Sequence, residues 1–122
     1  MSDGGLPSIL VLDDDPLVRR AIQRVAAGRR DVTVETVGTP DEVLARVDAG
    51  ARYDLIVCDY RLTLGGVHTS SAELVRELTR RGQRVAVMTG DVDTIAPDLA
   101  HVPALEKPLR LDDILAHLSP GS

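Results

Sequence analysis

The chain has 122 residues, enough for one hydrophobic core and too few for two of ordinary size. Hydrophobic residues make up 43% and charged residues 27%, an ordinary globular mix, and a net charge of −5 argues against a nucleic-acid backbone or an anionic membrane as partner. No apolar run approaches a membrane span, Met1 to Pro7 does not read as a signal peptide, and the lone Cys58 excludes an intrachain disulfide or a multi-cysteine metal site, so the expectation is a cytoplasmic protein.

With no Trp, no Phe and only Tyr53 and Tyr60, the core has to be built from Val, Leu, Ile and Ala. Ser8 to Leu12 is an apolar run ending in acids, the pattern of a buried strand. Asp15-Pro16 opens a helix with a cap and a first-turn proline. Val18, Ile22 and Val25 define its core face, and Gly28 ends it. Val32, Val34 and Val37 suggest a second strand. Thr39-Pro40 starts a second helix that runs to about Ala49 and closes at Gly50. Asp54 to Cys58 reads as a third strand buried on both faces. A polar loop containing Gly65-Gly66 follows, and Ser70 with Glu73 is spaced as the capping box of a third helix carrying Leu74, Val75 and Leu78. Val85 to Met88 is a fourth strand, Gly90 to Ala100 a weak helical region interrupted by Pro97, Val102 to Leu105 a short fifth strand and Leu111 to Leu118 a last helix. This alternation predicts an α/β fold: a doubly wound, five-stranded parallel sheet with helices on both faces, in a single domain with its core over about 8–118.

In such sheets function collects at the carboxyl ends of the strands. Asp13-Asp14-Asp15, Asp59, Thr89 and Lys107 all fall there. Carboxylates converging without His or Cys suit a hard cation, with Mg²⁺ the natural choice. A carboxylate beside Mg²⁺, with an ammonium and a hydroxyl near, is a set of parts for phosphoryl transfer. The basic residues are 13 Arg and one Lys, so Lys107 marks a place where a compact ammonium is used instead of a guanidinium.

The stretches Ile9 to Pro16, Asp54 to Leu62, Val87 to Gly90 and Glu106 to Leu109, in this order and spacing, resemble the response-regulator receiver domain of two-component signalling. The wording around Asp59 and Thr89 is most similar to receivers of hybrid sensor histidine kinases. The resemblance implies the flavodoxin-like receiver fold and a cytoplasmic signalling domain rather than a metabolic enzyme. It implies that Asp59 accepts a phosphoryl group from the phosphohistidine of a histidine kinase, with Thr89 and Lys107 completing the site. It implies Mg²⁺ held by Asp14, Asp59 and the backbone carbonyl of Arg61, with Asp13 acting through water, and a cis bond before Pro108. Output would pass through a protein partner or a homodimer, with no nucleic acid and no membrane.

The chain departs from the family at several points. Ala104 stands where an aromatic usually swings inward on phosphorylation. Thr63 replaces the usual Pro after Leu62, and the following loop is longer than usual. The interval from Thr89 to Lys107 is shorter. Activation through the Thr89 loop and the fourth-helix region is the resulting expectation, with Arg61 and Asp91 pairing across the pocket mouth to tune the phosphorylated lifetime. Leu17, an apolar residue off the core face of the first helix, reads either as ordinary surface or as part of a docking patch for a kinase helix. Cys58 reads as a buried small hydrophobe, and His68, His101 and His117 share no metal spacing. Two other readings stand beside the phosphoacceptor: a degenerate receiver used only for docking or dimerisation, and an aspartyl-phosphate hydrolase of the haloacid-dehalogenase type. The latter lacks its second acid, because Arg61 occupies that position.

Overall fold

Alternation of apolar side chains along short strands organises the molecule, for which a computed structural model describes residues 6–107 and 110–118. In chain order the elements are β1 (Ser8–Leu12), α1 (Pro16–Ala27), β2 (Thr33–Val37), α2 (Pro40–Asp48), β3 (Leu55–Asp59), β4 (Arg61–Leu64), β5 (Val67–Ser70), α3 (Ala72–Arg80), β6 (Val85–Thr89), β7 (Ala104–Glu106) and α4 (Leu111–Leu118). The main sheet is parallel, with strand order β2-β1-β3-β6-β7.

Successive strand residues point to opposite faces. Leu10, Leu12, Ile56, Cys58, Val85 and Val87 enter a core completed by Val43 of α2 and by Leu74, Val75 and Leu78 of α3. Ile9, Val11, Leu55, Val57, Ala86 and Met88 enter a second core, against Ile22 and Ala26 of α1 and Leu111 and Ile114 of α4. Burial on both faces is why β1, β3 and β6 read as continuous apolar runs. The doubly wound α/β architecture expected from the alternation is the one observed.

Asp15 caps α1 by accepting from the Leu17 N–H at 2.9 Å, with Pro16 at the first helical position. Thr39 caps α2 in the same way, and Gly50 leaves it with φ +98°.

Five local expectations need correction. Val25 is 55% exposed; Ala26, one residue on, turns inward in its place. The polar loop is a β-hairpin, β4 paired antiparallel with β5, and Gly65 and Gly66 supply the two positive φ values that a tight hairpin turn requires. There is no Ser70–Glu73 capping box: α3 begins after Ser71, which makes no side-chain cap, and Glu73 pairs with Arg76 instead. The region after Thr89 holds only two short 3₁₀ turns, Val92–Thr94 and Pro97–Leu99, since Pro97 cannot continue a helix. The final strand is Ala104–Glu106 and starts after Pro103, whose ring nitrogen has no hydrogen to donate. The peptide bond before Pro108 lies outside the described residues.

Candidate functional site

Register brings the strand ends together. Leu12 lies beside Cys58, Asp59 beside Met88, and Thr89 beside Glu106. Asp13 follows β1, Asp59 ends β3, Thr89 ends β6, and Lys107 follows β7. Asp13, Asp14 and Asp59 each offer a carboxylate oxygen, all within 4.8 Å of one another. Lys107 Nζ lies 3.0 Å from Asp59 Oδ2 and 3.9 Å from Asp13 Oδ2. The first distance is a charge-assisted hydrogen bond; the second is only a Coulombic contact.

Asp13 is fully buried and held through its backbone. Its N–H donates to Val37 O at 3.1 Å, and its carbonyl accepts from Arg19 Nη1 at 2.7 Å. Its Oδ1 accepts from the Asp15 N–H at 2.9 Å. Gly38 makes room for the Arg19 guanidinium: a Cβ there would lie 2.8 Å from Arg19 Nη1 and push it off the carbonyl. Nothing in the sequence singled out Arg19, because an arginine on an amphipathic helix reads as solvated surface.

Asp13 Oδ2 is buried with no hydrogen-bond partner among the described residues. An orphaned carboxylate oxygen beside two further carboxylates is costly unless a cation joins it, and an all-oxygen donor set fits a hard divalent ion such as Mg²⁺. The electrostatics agree. Burial pushes the Asp59 carboxyl up to about 6; Lys107 pulls it back and the Asp13 carboxylate adds to the rise. The Asp13 carboxyl is likewise raised, chiefly by burial, against the opposing pull of the Asp15 N–H and Lys107. Cys58 is buried and its thiol is pushed up to about 12, so it is no nucleophile at neutral pH.

The hairpin forms one wall of the site. Asp14 Oδ2 accepts from the Thr63 N–H at 2.9 Å, a bond that a proline at position 63 would forbid. Backbone groups two residues apart on a strand share an edge, so the Arg61 carbonyl lies on the same edge of β4 as the Thr63 N–H. Thr63 Oγ1 and His68 Nδ1 meet at 3.1 Å across the hairpin. The Thr89 hydroxyl is buried and engaged with Asp91: it donates to Asp91 O at 3.2 Å and accepts from the Asp91 N–H at 3.1 Å. The Asp91 carboxylate accepts from the Asp93 N–H, and among the described residues no ion pair joins Arg61 to Asp91. The expected clasp across the mouth is therefore not formed.

The fold and the acid pocket at the carboxyl edge of its sheet define an α/β domain of the receiver class. The family model for the response regulator receiver domain matches residues 9–119, and the chain belongs to that family. It is a receiver domain of two-component signalling. A CheY-like receiver domain from Methylobacillus flagellatus superposes with a TM-score of 0.76 at 18% identity, over 94% of this chain and 100% of that one. Chemotaxis response regulator CheY4 of Vibrio cholerae gives 0.71 at 19% identity, over 94% and 100%. The BeF3-activated conformation of SdrG from Pseudomonas melonis Fr1 gives 0.70 at 27% identity, over 94% and 95%. Among curated proteins, none matches the chain significantly.

Proposed function

We propose that this receiver accepts a phosphoryl group on Asp59 from the phosphohistidine of a histidine kinase, with Mg²⁺ as cofactor. The observation that carries the reading is the pocket itself: Asp59 within 3.0 Å of the sole lysine, beside the orphaned Asp13 oxygen. An Asp59 carboxylate oxygen forms the new O–P bond as the donor's P–N bond breaks and the imidazole leaves with the electron pair. Lys107 neutralises charge on the phosphoryl oxygens, and Thr89 donates its hydroxyl proton to one of them once released from Asp91. Asp14, Asp59 and the Arg61 carbonyl would hold Mg²⁺ directly, with Asp13 acting through water. The bound ion would supply countercharge to the acids and to the transferring group.

The docking side of this reading rests on α1. Residues 16–30 carry five arginines and no acid, in a chain whose net charge is −5. Leu17, 69% exposed, and Val25 border a groove of about 810 Å³ between α1 and α4, and Asp13 and Lys107 line the same groove. An apolar stripe flanked by arginines and opening onto the acids suits an amphipathic, acid-flanked kinase helix. No helix among the described residues is long and apolar enough to cross a membrane, and we assign the domain to the cytoplasm, where kinase donors present phosphohistidine. It is a signalling domain rather than a metabolic enzyme, and its output is a change in protein contacts.

The test is incubation with acetyl phosphate and Mg²⁺, followed by intact mass. One phosphoryl addition is expected, absent in Asp59→Asn and absent when the metal is chelated. No addition to the folded wild-type chain refutes the reading.

A further inference from the structure

Strand alternation separates Asp59 from its neighbour. Asp59 lies with Asp13 and Lys107, whereas Tyr60, 6% exposed, enters the core beneath α2 and α3 on the other face. The Tyr60 backbone is pinned. Its N–H donates to Met88 O at 2.9 Å, and its carbonyl accepts from the Ser71 N–H at 2.9 Å. Its hydroxyl reaches 36 residues along the chain to accept the Ala96 N–H at 2.9 Å.

Ala96 is where the Pro97–Leu99 turn begins, because its carbonyl accepts the Leu99 N–H at 2.9 Å. Upstream, Asp91 O accepts from the Thr94 N–H at 3.2 Å and from Thr94 Oγ1 at 2.8 Å, besides the Thr89 hydroxyl. The segment after β6 is thus strung between two fixed points. One is the Thr89 hydroxyl, one residue beyond the Met88 that pairs with Asp59; the other is the Tyr60 hydroxyl. A hydroxyl has one proton to donate. For Thr89 to donate to a phosphoryl group it must release Asp91 O, and Asp91 O is what holds Thr94.

We propose that Tyr60 is a positioning residue that couples the acid pocket to residues 94–99. By anchoring Ala96 it makes a rearrangement at Thr89 reorient the Pro97–Leu99 turn instead of dissipating in the loop. Tyr60 thereby supplies an aromatic link on this face that Ala104 cannot. The proposal rests on the phosphorylation reading above.

Two substitutions cut the anchor from opposite ends. Tyr60→Phe keeps the ring and removes the acceptor. Ala96→Pro keeps Tyr60 intact and removes the donor, and the Ala96 φ of −56° suits proline. The readout is amide NMR of the full chain with Mg²⁺, with and without beryllofluoride as phosphoryl mimic. In wild type, the amides of Thr89 to Asp91 and those of Leu99 and Ala100 shift together. In both variants the Thr89 to Asp91 shifts persist and those at Leu99 and Ala100 are lost. Without the mimic, the Ala96 amide of Tyr60→Phe exchanges with solvent several-fold faster than in wild type. Wild-type shifts at Leu99 and Ala100 in either variant overturn the proposal, as does a wild type that responds at Thr89 alone. A wild type that takes no phosphoryl mass and shows no shift even at Thr89 refutes phosphorylation itself, and the coupling with it. The two failures are therefore distinguishable.

Discussion

The two faces of the sheet are built from the same strands and end up doing different work. Beneath α2 and α3 the core is closed: Leu10, Ile56, Leu78 and Leu99 are buried, and the hairpin adds Leu62. The face beneath α1 and α4 stays partly open, with Leu17 and Val25 bordering a groove that reaches the acids. Arg29, just past the end of α1, spans to Asp112 of α4 at 3.0 Å, an exposed pair that adds little stability. The closed face holds segments in register, including the Tyr60–Ala96 link. The open face leaves apolar surface in water, and the acid pocket lies at its end. Apolar side chains close over one face and leave a groove on the other.

That contrast can be broken from either side. The largest expected effect is on chemistry: Asp59→Asn abolishes the phosphoryl mass gained from acetyl phosphate, and a residual gain would place the acceptor elsewhere. Next is the closed face, where Leu78→Ala should destabilise the fold by about 2–5 kcal/mol in urea denaturation, since a fully buried leucine leaves a cavity. A loss below about 1 kcal/mol would mean that this face is less tightly packed than it looks.

Third is the acid pocket without metal. The native Asp59 carboxyl sits at about 6 against an ordinary 3.8, so the folded protein holds that proton more tightly than the unfolded chain. Its contribution to stability is therefore fully present below about pH 4 and is lost as pH rises through about 6. At pH 7 the buried carboxylate destabilises the metal-free fold by on the order of 2–3 kcal/mol. Asp59→Asn should raise Tm at pH 7 in chelator, and the gain should shrink towards pH 4. Mg²⁺ should narrow the difference by binding the native wild type. An equal gain at both pH values would show that charge burial is not the cause.

The smallest expected effect on stability is on the open face. Leu17→Ala should change stability by no more than about 0.5 kcal/mol. It should slow phosphoryl transfer from a histidine kinase while leaving the acetyl phosphate reaction unchanged. Equal slowing with both donors would make Leu17 part of the pocket rather than of a docking surface.

Much of this was legible in the order of residues. Continuous apolar runs of four or five residues between helical periods can be buried only in a parallel sheet covered on both sides. Such a sheet puts Asp13, Asp59, Thr89 and Lys107 at one edge wherever they fall in the chain. Those positions depend on local pattern and on one simple topology, so no distance needed to be known. What depends on contact across the fold was out of reach. Gly65-Gly66 reads as a loop because only Arg61 to Leu64 alternates polar and apolar residues, while Val67 to Ser70, exposed throughout, carries one apolar side chain. Arg19 reads as surface because its partner is a backbone carbonyl, which no side-chain pattern encodes. Tyr60 is remote in sequence from Ala96, and only the course of the chain after β6 brings the Ala96 N–H to its hydroxyl. Sequence determines which side chains are available at an edge; which lone pairs and protons they spend on one another is decided when the segments pack, because a hydrogen bond is a matter of tenths of an ångström.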